Sequence, residues 1–332
     1  MDIAVIGALM RDEIHTWRGE RRVSFGGVLY NVRALAVMTG PGDRLRPFFR
    51  AAREDLVVLR NELLSDCAHV DLSSALPCEE GTDENVLRYR GASSREEVMT
   101  LRTPPLGPAD LGEALGSDAI LVNFINAREL SRETLAWLRG ASEAHIHLDV
   151  HNLGKALDES GRLSPVGLPD WREWFSLVDT MQANEWEVEL MTGKRPEAEE
   201  EFIAAALHFL SVPSLKAAAV TIGGAGSVVA HRLAPDGLPR VLRIPALDVD
   251  EVVDTTGCGD SYSSGFVTAM LRTGNPARAG LVASALSGLN TRPGGLASVG
   301  GRNEVEKAAR ERFPQLYAKI REGWLGDVAP AG

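Results

Sequence analysis

The chain has 332 residues, with 35 basic and 46 acidic side chains and a formal net charge of −11. Its 44% hydrophobic and 24% charged residues exclude a mostly disordered protein, and its length suits one large domain or a domain with a lid. The acidic balance, without a Lys/Arg cluster, argues against nucleic-acid binding. Three cysteines are too few for a disulfide framework and favour a cytoplasmic location.

The first residues and the longer apolar runs bear on membrane association. No run reaches the roughly 18 consecutive apolar residues of a membrane helix, so we expect no membrane partner. The start of the chain lacks the basic region and long apolar stretch of a signal peptide. We therefore interpret residues 3–9 as the first strand of the fold.

Short apolar runs recur along the chain and predict buried parallel strands, because both faces of such strands are covered. They lie at 3–9, 56–59, 118–124, 145–150, 176–180 and 217–222. Helical patterns lie between and after them, at 130–141, 187–194, 199–212, 260–273, 276–290 and 303–322. This alternation predicts an α/β protein whose sheet carries helices on both faces.

Two polar segments, 14–25 and 76–104, interrupt the alternation and contain short strand-like pieces. They are either two separate surface hairpins or one small β lid built from both. We adopt the second interpretation. It divides the chain into a core domain of residues 1–13, 26–75 and 105–332 and a lid of residues 14–25 and 76–104.

The most informative segment is 254–260, which reads Asp-Thr-Thr-Gly-Cys-Gly-Asp and leads directly into an apolar helix. Free N–H groups at a helix start, together with the helix dipole, form an anion site that phosphate commonly fills. Asp260 then lies in the first helical turn. A carboxylate there is either a helix cap or a general base beside a phosphoryl group.

This segment resembles the signature of the ribokinase/PfkB carbohydrate-kinase family. Other family landmarks follow in the same order: Asp12 after the first strand, Gly26-Gly27 before Asn31, an N-x-x-E motif at 184–187, a T-x-G-x-x-G turn at 221–226, and the segment 291–295. The resemblance covers nearly the whole chain and is most specific between 184 and 298. It implies a ribokinase-like three-layer α/β/α sandwich with a small β lid.

The resemblance also implies an activity: transfer of the γ-phosphoryl group of Mg-ATP to a primary hydroxyl of a small sugar or sugar-like alcohol. Asp260 is then the general base. The backbone N–H groups of Gly257, Cys258 and Gly259 hold the migrating phosphoryl group. Phosphoryl transfer depends mainly on positioning and charge stabilisation, so one carboxylate and a backbone anion hole are a sufficient minimum.

Metal sites are implied in the same way. Asn184 and Glu187 organise Mg²⁺ through its bound waters, although an Asn three residues before a Glu also matches a helix capping box. Asp254 and the backbone of Thr256, with the loop that ends at Ser298, form the K⁺ site of the potassium-activated relatives.

The two substrates are assigned to different glycine-containing segments. The resemblance implies that four residues line the nucleotide site: Thr221, Gly223, Gly226 and Gly259. The alternative for the segment 221–226 is a strand-to-hairpin turn without a ligand-binding function.

The acceptor is expected to contact Asp12, Gly27 and Asn31, beside Asp260. The alternatives are a solvated loop acid for Asp12 and a tight turn for the Gly26-Gly27 pair.

Two residues depart from the family pattern. Cys258 replaces a small Ala, and its position at a helix start favours a thiolate, which suggests sensitivity to oxidation. His151 lies where many relatives carry a D-x-N-x-R loop. It either contacts the acceptor or a phosphate, or is a satisfied structural residue.

Other interpretations stay open within the sequence. A nucleoside kinase of the same family fits equally well. A catalytically silent, ligand-binding relative is a different class, and retention of Asp260, Asn184 and Glu187 argues against it. A dinucleotide-dependent oxidoreductase is disfavoured because the first strand is not followed by G-x-G-x-x-G. Because relatives often dimerise through the lid, we also expect a homodimer.

Overall fold

The computed structural model describes residues 1–16, 18–90, 95–234 and 237–328. The strands are β1 (Asp2–Ile6), β2 (Leu9–His15), β3 (Arg21–Gly27), β4 (Arg44–Phe48), β5 (Arg50–Ala51), β6 (Leu76–Pro77), β7 (Asp83–Tyr89), β8 (Arg95–Leu101), β9 (Ala119–Asn123), β10 (His145–Asp149), β11 (Lys155–Leu157), β12 (Leu163–Pro165), β13 (Thr180–Asn184), β14 (Ala217–Thr221), β15 (Ser227–His231), β16 (Arg240–Ile244) and β17 (Asp327–Val328). The helices are α1 (Val28–Met38), α2 (Arg53–Val58), α3 (Arg132–Ala141), α4 (Trp171–Phe175), α5 (Glu185–Thr192), α6 (Glu199–Leu210), α7 (Cys258–Thr273), α8 (Pro276–Asn290), α9 (Arg302–Arg312) and α10 (Pro314–Arg321).

The central sheet of the described chain has nine strands in the order β17-β16-β15-β14-β13-β10-β9-β1-β4. The six strands from β14 to β4 run parallel, and β15, β16 and β17 continue the sheet antiparallel. The parallel strands are buried on both faces, as the sequence predicts for strands covered on two sides, although β4, β10 and β13 include buried polar residues such as Arg46, His147 and Gln182.

Side chains of each strand point alternately into two helical layers. In β14, Ala218 and Val220 pack with residues of α3, α4, α5 and α6, whereas Ala217 and Ala219 pack with α1, α7, α8, α9 and α10. The predicted three-layer α/β/α sandwich is therefore confirmed. Among the described residues, every helix is too short or too polar to cross a lipid bilayer.

Three local predictions were wrong. Residues 56–59 lie in α2 and the π-helical turn Leu59–Leu63 rather than in a strand, because a four-residue apolar run cannot distinguish the two and Glu54 and Asp55 favour a helix start. The strand predicted at 176–180 begins only at Thr180. The helix predicted at 303–322 is split at Pro314, which opens α10.

The lid region is a second, four-stranded sheet in the order β3-β2-β7-β8. It begins at Leu9 and its first hairpin ends at Gly27, so residues 9–13 and 26–27 belong to this sheet and not to the core as the sequence suggested. The two predicted lid segments are joined by parallel pairing of β2 with β7. They also contain residues 17 and 91–94, which lie outside the described residues. The division into two domains stays a prediction.

Gly27 connects this small sheet to α1 at a position where the backbone conformation requires glycine. Its φ of 64° is unfavourable for other residues, and a Cβ there lies 2.3 Å from the carbonyl oxygen of Ala8. We expect Gly27→Ala to lower the free energy of unfolding by about 1–3 kcal/mol. Gly140→Ala, in open space within α3, is the control and should raise it by about 0.5–1 kcal/mol. Denaturant unfolding measures both variants, and equal changes in the free energy of unfolding for Gly27→Ala and Gly140→Ala would contradict this account.

Candidate active site

A cleft of about 780 Å³ lies between the small sheet and the carboxyl ends of the parallel strands. Strands β10, β13 and β14 reach it at their carboxyl ends, and the N-terminus of α7 closes its floor. Ligands of open parallel sheets bind at this edge because loops and helix starts converge there. The sequence-predicted residues Asp12, Asn184, Thr221 and Asp260 all line the cleft.

Gly257 forms the turn that starts α7. Its φ is 75°, and a Cβ at this position lies 2.8 Å from the Tyr30 ring, so only glycine fits. The helix begins at Cys258, whose N–H donates to the carbonyl of Thr255 at 3.2 Å. Of the three N–H groups assigned to the phosphoryl site, those of Gly257, Cys258 and Gly259, the Cys258 N–H is thus donated within the turn in this structure, and the anion site stays a prediction.

Asp260 lies in the first turn of α7 at the floor of the cleft. The side-chain amide of Asn123, the last residue of β9, donates to Asp260 Oδ1 at 2.6 Å. Burial raises the pKa of the Asp260 carboxyl to about 6, and the hydrogen bond from Asn123 opposes that rise. The carboxyl group is thus suited to take up a proton near neutral pH.

Asp149, at the end of β10, is a cleft residue that sequence reasoning did not assign to the site. Ser263 Oγ donates to its Oδ2 at 2.8 Å, and the Gln182 amide, in the orientation that satisfies its neighbours, donates to the same oxygen at 2.9 Å. Burial, and then the negative charge of Asp260, raise the pKa of Asp149 to about 8. Its position at a strand end next to His151 was the available sequence signal.

Asn184 and Glu187 form a complete capping box at the start of α5. Asn184 Oδ1 accepts from the Glu187 N–H at 3.0 Å, and the Asn184 N–H donates to Glu187 Oε2 at 2.7 Å. Both residues also line the cleft. Burial, and then the charge of Asp149, hold the pKa of Glu187 well above its usual range. The capping arrangement and the position at the cleft therefore coexist.

Three carboxyl groups that line the cleft, those of Asp149, Glu187 and Asp260, have raised pKa values, and burial is the largest cause for each. The charge of Asp260 also acts on Asp149, and that of Asp149 acts on Glu187. Like charges that act on one another favour protonation unless a cation offsets them. Oxygen donors of this kind are the ligands of hard cations such as Mg²⁺. The magnesium site predicted at Asn184 and Glu187 stays a prediction, since both residues line the cleft but the described carboxyl groups do not form a three-ligand metal cluster.

The other end of the cleft runs between the turn after β14 and the N-terminal region of α7. Thr221, Gly223 and Gly226 border it as predicted. Gly226 has a φ of 103°, and a Cβ there lies 2.1 Å from the Ile244 carbonyl oxygen, so the turn requires glycine. The remaining groove is lined by small and apolar residues: Ala246, Leu247, Val249, Val252, Ser287, Gly288 and Thr291.

The residues predicted for K⁺ lie near one another only in part. Asp254 Oδ1 accepts from the N–H and Oγ1 of Thr256 at 2.8 and 2.7 Å. The carbonyl of Thr256 accepts from Asn290 Nδ2 at 2.9 Å. Ser298 is exposed and donates to the Gly295 carbonyl, and within the described residues no hydrogen bond joins it to Asp254 or Thr256. The K⁺ site stays a prediction.

The acceptor end lies against the inner face of the small sheet. Asp12 and Gly27 line it, and Asn85 Nδ2 lies 3.3 Å from Asp12 Oδ1 and 3.2 Å from Glu97 Oε1. Asn31 is fully buried and does not face the cleft, contrary to expectation. It lies behind Asp260, to whose carbonyl its amide donates at 3.2 Å.

Cys258 differs from the expectation of a thiolate at a helix start. Burial raises the pKa of its thiol, and the hydrogen bond with Asn290 opposes this only partly. The dipole of α7 is therefore outweighed by desolvation. The β10 histidines His145 and His147 contact Thr180 Oγ1 at 2.9 and 2.8 Å. Within the described residues, no group of three or more His, Cys, Asp or Glu side chains forms a metal-binding cluster.

Comparison with known proteins bears on this arrangement. Residues 151–299 match the model of the pfkB family of carbohydrate kinases. A ribokinase from Haemophilus influenzae is 30% identical over 136 residues, which is 40% of this chain and 41% of that protein. The chain thus aligns with less than half of the length of this curated relative.

Solved structures match the fold over most of the chain. Arabidopsis thaliana ribokinase, complexed with ribose and ATP, superposes with a TM-score of 0.70 at 18% identity, covering 93% of this chain and 98% of that one. A pyrophosphate-dependent kinase in the ribokinase family, in a sulfate complex, gives 0.71 at 18% identity, covering 92% and 99%. These matches show a ribokinase-like fold for the chain, and residues 151–299 are similar to the pfkB family of carbohydrate kinases.

The raised pKa values predict how stability depends on pH. Asp149 holds its proton to about pH 8 when folded, but in the unfolded chain it ionises near pH 4. The free energy of unfolding therefore falls as pH rises between these values.

Between pH 5 and 8 we expect the free energy of unfolding to fall by about 1–3 kcal/mol more in the wild type than in Asp149→Asn. Millimolar Mg²⁺ should reduce this loss. Asp66→Asn, in an exposed loop, is the control and should follow the wild type. Parallel pH curves for wild type and Asp149→Asn would contradict the assignment.

Proposed function

We propose that this protein transfers the γ-phosphoryl group of Mg-ATP to a primary hydroxyl of a small sugar or sugar-like alcohol. One observation carries the proposal. A carboxyl group with a pKa near 6 lies in the first turn of α7, between a polar acceptor end and a groove bordered by the turn after β14. Phosphoryl transfer needs a base and an anion-stabilising helix start at one point.

Asp260 acts as the general base in this mechanism. The Asn123 amide donates to Asp260 Oδ1, which leaves Asp260 Oδ2 to accept a proton. Asp260 Oδ2 takes the proton of the acceptor hydroxyl while the hydroxyl oxygen attacks the γ-phosphorus. The bond from phosphorus to the bridging oxygen of ADP breaks in the same displacement. The N-terminus of α7, with the backbone of Gly257 and Gly259, faces the negative charge on the transferred group.

Asn184 and Glu187 hold Mg²⁺ through its waters in this proposal, and their capping box fixes both side chains for the task. When bound, the ion neutralises negative charge on the phosphates of the nucleotide. A bound cation would also favour the ionised forms of Asp149 and Glu187, whose pKa values are raised in the cleft.

The groove favours a nucleotide over a smaller phosphoryl donor. Solved relatives of this fold include an ATP complex and a pyrophosphate-dependent kinase, so the fold alone leaves the donor open. In this chain the donor end extends past the turn at 221–226 into the apolar groove of Ala246, Leu247 and Val249. Such a groove suits a purine base and ribose, which pyrophosphate lacks.

The acceptor end supports a polyol. Asp12, Ser24, Asn85 and Glu97 present oxygen and amide groups among apolar side chains of the small sheet, an arrangement that suits several hydroxyl groups on a small carbon frame. A nucleoside acceptor remains the alternative within the family. Activation by K⁺, the homodimer and the cytoplasmic location stay predictions from the sequence.

The direct test is ADP production from Mg-ATP across a panel of sugars, polyols and nucleosides, with and without K⁺. We expect acceptor-dependent ADP that falls at least a thousandfold in Asp260→Asn, because the base is lost while the fold is kept. Asp66→Asn, in an exposed loop, should behave like the wild type.

The possible failures have different meanings. Full activity in Asp260→Asn would exclude Asp260 as the base. Transfer from pyrophosphate but not from ATP would overturn the donor assignment. No transfer to any acceptor, with ATP binding retained in calorimetry, would favour the ligand-binding relative.

A further inference from the structure

His151 has an unusual backbone conformation. Its φ is 40°, in the left-handed region, and within the described residues Ala127 is the other non-glycine residue with positive φ. A residue with a Cβ is strained there, and such strain persists where the surroundings fix it, often at functional sites. The His151 ring lines the cleft beside Asp149 and Asn152.

The side-chain amide of Asn123 uses all of its hydrogen-bonding groups. Its Nδ2 donates to Asp260 Oδ1 at 2.6 Å and to Asn31 Oδ1 at 2.8 Å. Its Oδ1 lies 3.1 Å from His151 Nδ1. Asn123 is fully buried, so water cannot replace any of these partners.

These contacts determine the tautomer of His151. Since two oxygens face the Asn123 nitrogen, the amide cannot be rotated, and its Oδ1 must accept from His151. Nδ1 of His151 therefore carries a proton. Burial lowers the pKa of His151 to about 4, so the ring is neutral and Nε2 is an acceptor. Within the described residues, no protein group bonds to Nε2.

We propose that His151 is a positioning residue that acts on Asp260 through Asn123, and that its Nε2 accepts a hydrogen bond from a hydroxyl of the acceptor. This inference rests on the proposed phosphoryl transfer. In this arrangement Nδ1 of His151 orients Asn123, and through it Asp260, while Nε2 of the same ring binds the acceptor. An acceptor that donates to Nε2 therefore lies on the same side of the cleft as the Asp260 carboxyl group.

Other charged and titratable groups around this pair are few. The negative charge of Asp260 acts on Asp149, at the end of β10, and on Cys258, in the same helix. Lys155, at the start of β11, contributes positive charge to His151. None of them bonds to the Asn123 amide, so the chain from His151 to Asp260 can be altered separately.

Two substitutions separate the two functions of the ring. His151→Asn keeps a donor near the position of Nδ1, suits the left-handed backbone and removes Nε2. His151→Gln keeps a polar group near the position of Nε2 and removes the Nδ1 donor.

Asn123→Leu removes the donor to Asp260 at nearly constant volume. His145→Asn and His145→Gln, at the start of β10 where the ring is bonded to Thr180, are the controls.

The expected results differ in kind. His151→Asn should raise the KM for the acceptor roughly three- to tenfold, without moving the acidic limb of the pH profile of kcat. His151→Gln should move that limb upward by roughly half to one pH unit, with a smaller change in KM, because a less oriented Asn123 stabilises the Asp260 carboxylate less. Asn123→Leu should move the limb at least as far. The His145 variants should leave both quantities unchanged.

The opposite pattern, or equal effects of both His151 variants on the pH profile and KM, would overturn the inference.

The tautomer of His151 is tested without an activity measurement, by ¹⁵N NMR of the histidine rings in the wild-type protein. A neutral ring with its proton on Nδ1 down to about pH 5 is expected, and a proton on Nε2 would refute the inference even in a folded protein whose variants fail to fold. Absence of any phosphoryl transfer by the wild type would instead count against the proposed function.

Discussion

The structure depends on the cost of placing several carboxyl groups together at a dry edge of the sheet. Asp149 and Glu187 are buried, Asp260 lies beside them, and each is held by donors of the surrounding backbone or side chains. Neutral protein groups compensate such a cluster only partly, so its ionisation must depend on what enters the cleft. A magnesium nucleotide is a ligand of suitable charge.

The fold supplies this cluster through a simple topological constraint. The carboxyl ends of the six parallel strands lie at one edge of the sheet, and four of these strands end there in a polar residue: Asn123 in β9, Asp149 in β10, Asn184 in β13 and Thr221 in β14. The helix α7 points its N-terminus at the same edge, and Gly257 permits the turn beneath Tyr30. Residues of the small sheet, among them Asp12 and Asn85, line the acceptor end of the same cleft.

Much of this could be predicted from the sequence, because its signals are local. The position of Asp260 at a helix start and the Asn184–Glu187 spacing are fixed by neighbours within a few residues, and the apolar runs mark most central strands. The missed features join distant segments. Asn123 meets Asp260 across 137 positions, and Asn31 turns toward Asp260 instead of the cleft.

The extent of the lid shows the same limit. Residues 9–13 read Leu-Met-Arg-Asp-Glu, a short segment whose pattern does not separate the end of a core strand from a lid strand. Their pairing with β3 and β7 assigns them to the small sheet. Likewise, the thiol of Cys258 follows its burial and not the local helix dipole. Local pattern therefore predicts elements and motifs well, whereas burial and long-range pairing determine ionisation and lid boundaries.

The central claim is that the carboxyl cluster holds protons until a magnesium nucleotide binds. Calorimetric titration with Mg²⁺ and a non-hydrolysable ATP analogue, at pH 7 in two buffers of different ionisation enthalpy, measures proton release directly. The account predicts release of about one proton per site in the wild type and clearly less in Asp149→Asn. Tight binding without proton release in the wild type would contradict it.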